Sequence, residues 1–182
     1  MGYHSTDLVT RACLFALRAH WGQTRNNKDK SPLMDHLAAV ARLVGESGGS
    51  DLEIAAAWLH DIVEDTLVTV EEVDAIFGVA IGKIVDGLTD PIGFKNLPLV
   101  ERKQRQAERV RLKGDSVRRI KIADQIANVH DVAVDPPKKW NNEKCLEYVE
   151  GAKLVVEKCR YISIYLADEF DRVYLLAKNA HK

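Results

Sequence analysis

The chain has 182 residues, 46% hydrophobic and 29% charged, with a formal net charge of -1. That length holds one sizeable core, so residues 1–182 read as a single domain, and the composition excludes a disordered chain. The near-zero charge excludes the broad basic field that binds a polynucleotide backbone. No run approaches the ~20 apolar residues of a membrane span, and the N-terminus lacks the pattern of a secretory leader. Cys13, Cys145 and Cys159 are an odd number with no C-x-x-C pair, as expected for reduced thiols in a cytoplasmic protein.

In chain order almost every segment carries the 3.6-residue period, which predicts an all-α protein. A first helix runs from about Thr6, read as its cap, to Trp21, followed by the polar loop "GQTRNNKDKSP". A second begins near Asp35 and stops at "GESGGS". Ser50-x-x-Glu53 is a capping box that opens a third helix, which carries "AAAWLHDIVEDT"; Thr69-x-x-Glu72 is another, opening a short helix that ends at Phe77-Gly78. "DPIGFKNLP" is the longest break in the pattern. A charged helix, "LVERKQRQAERVRLK", follows it, then "SVRRIKIADQIANVHDV", and finally helices at about Glu143 to Cys159 and Ile162 to Ala177.

On a continuous helix His60, Asp61, Glu64 and Asp65 fall within an arc of about 140°, opposite Leu59, Ile62 and Val63. The same geometry puts Lys121, Asp124, Asn128 and Asp131 on one stripe with Ile122, Ile126 and Val129 behind them. Two helices thus present polar walls while staying packed. Carboxylates gathered in a core cost several kcal/mol each without a cation, and imidazole with carboxylate is a donor set that suits a divalent metal. The opposing reading is a solvated acidic face with a hydrogen-bonded core histidine.

His36, His60-Asp61 and Asp124 resemble the H…HD…D signature of the HD-domain metal-dependent phosphohydrolases. "HDIVEDT" is similar to the H-D-x-x-E-D-T block of their RelA/SpoT-type (p)ppGpp hydrolases, "KIADQIANVHDV" to the K-x-A-D-x-x-x-N block, and "FALRAHWGQTR" and "VEEVDAIFG" to neighbouring stretches. The likeness spans about residues 14–132, and helices at 143–178 would complete an HD-type helical bundle of the small stand-alone form. The resemblance implies that His36, His60, Asp61 and Asp124 ligate one divalent cation, commonly Mn²⁺. It implies that Glu64 and Asp65 orient and deprotonate the attacking water, and that Arg25, Lys28, Lys121 and Asn128 meet a phosphorylated nucleotide. The reaction implied is release of pyrophosphate from guanosine 3′,5′-bis(diphosphate). Alternatives are a nucleotide phosphohydrolase of other specificity and a non-catalytic nucleotide sensor.

The chain departs from the family pattern at Asn26, where a Lys follows the Arg, and at Leu33, where a Tyr packs on the base. Gln125 and His130 stand at positions that are often basic. Arg102, Arg105 and Arg109, extended by Lys103 and Arg111, form either a solvated stripe or a basic lid over the phosphates. Trp58 and Trp140 read as packing residues, and His20 and His130 as structural or surface ones. His4 and His181 are expected to be disordered at the termini. Tyr148, Tyr161 and Tyr165 lie on helices that complete the bundle or form a homodimer face.

Overall fold

The computed structural model describes residues 7–182, so the expected Thr6 cap and His4 lie outside it. The fold is an all-helical bundle; its only β-type pairing among the described residues is two isolated bridges, Thr24 to Pro32 and Asn27 to Pro137. The helices are α1 (Leu8–Ala19), α2 (Leu33–Glu46), α3 (Asp51–Trp58), α4 (Ile62–Asp65), α5 (Val70–Phe77), α6 (Val79–Leu88), α7 (Leu99–Val110), α8 (Asp115–Val134), α9 (Asn142–Glu157) and α10 (Ile164–Ala180). Asp7 caps α1 by accepting the Thr10 N–H, and both capping boxes form, Ser50 with Glu53 and Thr69 with Glu72.

The 20-residue α8 is the hub, packing against α2, α6, α9 and α10. Its Ile120, Ile122, Ala123 and Val129 are fully buried among Leu37 and Val40 of α2 and Leu166 and Phe170 of α10. Each large side chain so buried contributes ~1.5–3 kcal/mol, which makes α10 part of the core. His181 is correspondingly not disordered: it is 7% exposed, and its Nε2–H donates to the Val132 carbonyl at 2.7 Å. That bond satisfies one of the carbonyls left over at the end of α8.

The expected continuous helix through residues 55–66 is broken. α3 ends at Trp58, and the chain turns through Leu59 to Asp61 before α4 resumes as a single helical turn. The His60 ring causes the break locally. Its Nδ1–H donates to the Ala57 carbonyl at 2.8 Å, taking the acceptor that the Asp61 N–H would use in an α-helix. The neighbouring amides make tighter bonds three residues back, Leu59 to Ala56 and Ile62 to Leu59, both at 3.1 Å.

Candidate metal centre and catalytic cleft

Three elements converge on the two histidines. The loop before α2 is folded back by Arg25 N–H to Ser31 O at 2.8 Å and Leu33 N–H to Gln23 O at 3.0 Å, so α2 starts at Leu33 and carries His36 in its first turn. The break after α3 turns His60 and Asp61 toward α8, which supplies Asp124 from its buried face. His36 Nε2 and His60 Nε2 lie 3.3 Å apart, and Asp124 Oδ1 is 3.5 Å from the first and 3.8 Å from the second. Asp61 spans the pair, with Oδ1 3.3 Å from His60 Nε2 and Oδ2 3.8 Å from His36 Nε2. His36, His60 and Asp124 are buried.

These donors fit one divalent cation. The Ala57 carbonyl holds the proton of His60 on Nδ1, leaving the Nε2 lone pair facing the cluster, as metal-ligating histidines require. Around a cation with bonds of ~2.1 Å, neighbouring ligand atoms stand ~3.0–3.4 Å apart, close to the separations seen. Burial pushes His36 below its ordinary pKa. It pushes His60 down as well, but Asp61 and Asp124 overcome it and lift that ring to about 9. Despite burial, the cationic groups nearby hold both carboxyls below the usual carboxylate range, chiefly His60 for Asp61 and Lys121 for Asp124.

Beside the cluster opens a cleft of about 300 Å³, walled by Arg25, Asp61, Glu64, Asp90, Lys95, Arg102, Lys121, Asp124 and Asn128. Glu64 faces it, with Oε1 accepting the Asp90 N–H at 2.7 Å; burial pushes its carboxyl up to about 6, against the pull of that N–H and of Lys121. Asp65 stands apart from the cleft wall, exposed, with Oδ1 paired to Lys95 Nζ at 2.7 Å. Lys121 sits 3.4 Å from Asp124 Oδ2 and is held above the ordinary lysine range by Asp124, Asp90 and Glu64. Arg25 donates to Asn128 and to Asp131, and Asn128 donates on to Asp124 Oδ1.

Lys28 is not brought to the cleft: it is exposed, and its backbone N–H binds Asp135 Oδ1 at 3.2 Å. Leu33, at the position where the family pattern has a Tyr against the base, is buried in the core at 6% exposure, and α2 begins there, two residues earlier than predicted. Of the basic stripe, Arg102 and Lys103 reach the cleft. Arg105 and Arg111 pair with Glu101 and Glu108 on the surface, and Arg109 donates to the Thr89 carbonyl. Sequence reasoning missed Lys95 and Asp90, which arrive from the "DPIGFKNLP" break; a segment without a period gives no signal of where its side chains point.

The HD-domain family model matches residues 12–147. Over 177 residues the chain is 32% identical to the guanosine-3′,5′-bis(diphosphate) 3′-pyrophosphohydrolase MESH1 of Danio rerio, covering 96% of this chain and 97% of that protein. It is 36% identical to the Homo sapiens MESH1 over 159 residues, 86% and 87% of the two chains. A solved structure of a metazoan ortholog of SpoT that hydrolyses ppGpp superimposes with a TM-score of 0.85 at 28% identity, covering 96% of this chain and 97% of that one. With the buried His-His-Asp cluster, these likenesses establish that the chain belongs to the HD-domain metal-dependent phosphohydrolases and is related to the MESH1 and SpoT-type (p)ppGpp hydrolases.

Proposed function

We propose that this chain hydrolyses guanosine 3′,5′-bis(diphosphate) at its 3′ position, releasing pyrophosphate and leaving guanosine 5′-diphosphate, with Mn²⁺ at His36, His60, Asp61 and Asp124. The observation that carries this reading is the near full-length likeness to MESH1, whose name states that reaction, joined to a cleft in which Glu64, Arg25, Lys95, Arg102 and Lys121 border the His-His-Asp cluster. We take residues 1–182 to act as one unit, since α9 and α10, at or beyond the end of the matched region, pack on α8.

The cation, when bound, supplies Lewis-acid stabilisation of the phosphoryl oxygens and acidifies water. The chain's own residues do the rest. Glu64, poised near pH 6 by burial, takes the proton of the attacking water, and the departing 3′ oxygen recovers a proton from solvent. Asp65 steers Lys95, whose ammonium, with Arg25, Arg102 and Lys121, offsets the charge of the pyrophosphate. The nucleoside extends into an adjoining hollow of about 190 Å³, which shares Arg25, Asn128 and Tyr148 with the cleft and adds Asn26 and Trp140.

The alternative of different base or chain-length preference is favoured by one observation. Leu33 is buried, so no aromatic face meets a base at that position. A steady-state assay of the Mn²⁺-supplemented protein against a nucleotide panel, reading pyrophosphate separately from orthophosphate, tests both. Pyrophosphate from the guanosine substrate, at the highest kcat/KM of the panel, is the expected result. A higher kcat/KM on another nucleotide, or orthophosphate as product, would select the alternative, and no turnover with any would leave a nucleotide sensor.

A further inference from the structure

α7 sends a lysine into the core. Lys103 is 3% exposed, and its stem crosses α9 at Gly151. Its ammonium lies 4.3 Å from the centre of the Tyr148 ring and donates to Gln125 Oε1 at 2.7 Å. Gln125 is itself buried, and its Nε2 donates to Asp124 Oδ2 at 2.8 Å. Two helices, α9 with a glycine and an aromatic ring and α8 with an amide, therefore shape the burial of one amine from α7, a costly arrangement unless the amine has a task.

The task follows from hydrogen-bond chemistry. An amide side chain has one accepting end and one donating end, and its neighbours decide which way it faces. The ring face and Oε1 are both electron-rich, so the pair accepts only N–H from Lys103. With Oε1 held by the ammonium, Nε2 has to face Asp124. Oδ2 of Asp124 is then pinned, and Oδ1 turns to the two Nε2 atoms of His36 and His60. Outer partners of this kind orient metal-ligating carboxylates.

We propose that Lys103 is a positioning residue of the metal centre, acting through the amide of Gln125 on the carboxylate of Asp124. The inference rests on Asp124 being a metal ligand, and the experiment separates the two. Mn²⁺ affinity is measured by titration of purified, metal-stripped protein, alongside KM and kcat for guanosine 3′,5′-bis(diphosphate) at saturating Mn²⁺. The variants are Lys103→Met, Asp124→Ala and the double change Lys103→Met with Gln125→Met. The double change leaves no Gln125 amide oxygen unpaired in the core, and Asp124 Oδ2 keeps Lys121 at 3.4 Å, so it guards against a folding failure of the single variant.

Asp124→Ala should abolish Mn²⁺ binding. Lys103→Met and the double variant should each weaken it by ~10–100-fold, the usual effect of losing an outer partner, with KM at saturating metal within about twofold of wild type. Wild-type Mn²⁺ affinity in either Lys103 variant, while Asp124→Ala binds none, overturns the relay. Unchanged Mn²⁺ affinity with a raised KM overturns it too and puts Lys103 on the substrate. Retained Mn²⁺ affinity in Asp124→Ala removes the metal assignment itself and the relay with it.

Discussion

Replacing Gly151 by alanine should disturb stability and metal affinity together, although residue 151 lies on α9 and touches no candidate ligand. In a helix interior alanine is ordinarily better than glycine by ~1 kcal/mol. Here a Cβ would stand 2.6 Å from Lys103 Cγ and 2.9 Å from Lys103 Cβ. The second contact is with an atom fixed by the α7 backbone, so no rotamer of Lys103 relieves it, and overpacking of this kind costs ~1–3 kcal/mol. The net expectation is a loss of up to ~2 kcal/mol, with Tm falling by ~2–4 °C for each kcal/mol. Because the stem of Lys103 has to move, its 2.7 Å bond to Gln125 Oε1 should go as well. Urea denaturation and Mn²⁺ titration of Gly151→Ala, Lys103→Met and the pair would read both effects, and the pair should lose less metal affinity than the sum of the singles. A Gly151→Ala protein that is stabilised by ~1 kcal/mol and binds Mn²⁺ as wild type does would refute the reasoning.

Removal of His60 by His60→Ala should abolish metal content and turnover, and chelation of wild type should lower its Tm by removing the free energy of metal binding from the folded state; full occupancy in the variant by metal analysis would contradict this. Glu64→Gln should lower kcat by ~10² or more with little change in Mn²⁺ affinity, and Asp65→Asn, whose carboxylate stands outside the cleft wall, should lose less; equal losses would give the two the same task. The pH profile of kcat/KM should fall on the acid side near pH 6, since Glu64 acts as a base only when ionised and its carboxyl is pushed up to about 6; Glu64→Gln should lack that limb. Leu33→Tyr should cost ~1–3 kcal/mol by overpacking, measured by thermal melting, and should bring no gain in kcat/KM, whereas Asn26→Lys, exposed beside Arg25 where the hollow joins the cleft, should raise it by adding a cation within reach of the phosphates.

Periodicity and capping made most of the bundle legible, because Ser50 with Glu53 and Thr69 with Glu72 are local pairs whose meaning does not depend on the rest of the chain. The four proposed ligands were legible only as a pattern of spaced histidines and aspartates, and the packing of α2 against α3 and α8 is what brings them together. What the sequence hid were effects settled by single long-range or side-chain bonds. The turn at His60 interrupts a segment whose residues all favour helix, because one ring takes one carbonyl. Lys103 reads as part of a charged stripe until a glycine far along the chain leaves space for its stem. Lys95 lies in a segment without a period, and the ordering of His181 depends on the Val132 carbonyl.

The two supports of this centre differ in how they respond to mutation. The orientation of His60 is set by the oxygen of a peptide bond, an acceptor that no amino-acid replacement at residue 57 deletes. Asp124 is oriented by the side chains of Lys121, Gln125 and Asn128, each a single codon change away from something else. Variation in metal preference among natural or laboratory descendants of this chain should therefore accumulate around α8, while the histidine side of the centre drifts little. A selection for activity with a different cation would sample productive changes at residues 121, 125 and 128 long before any at the turn after α3.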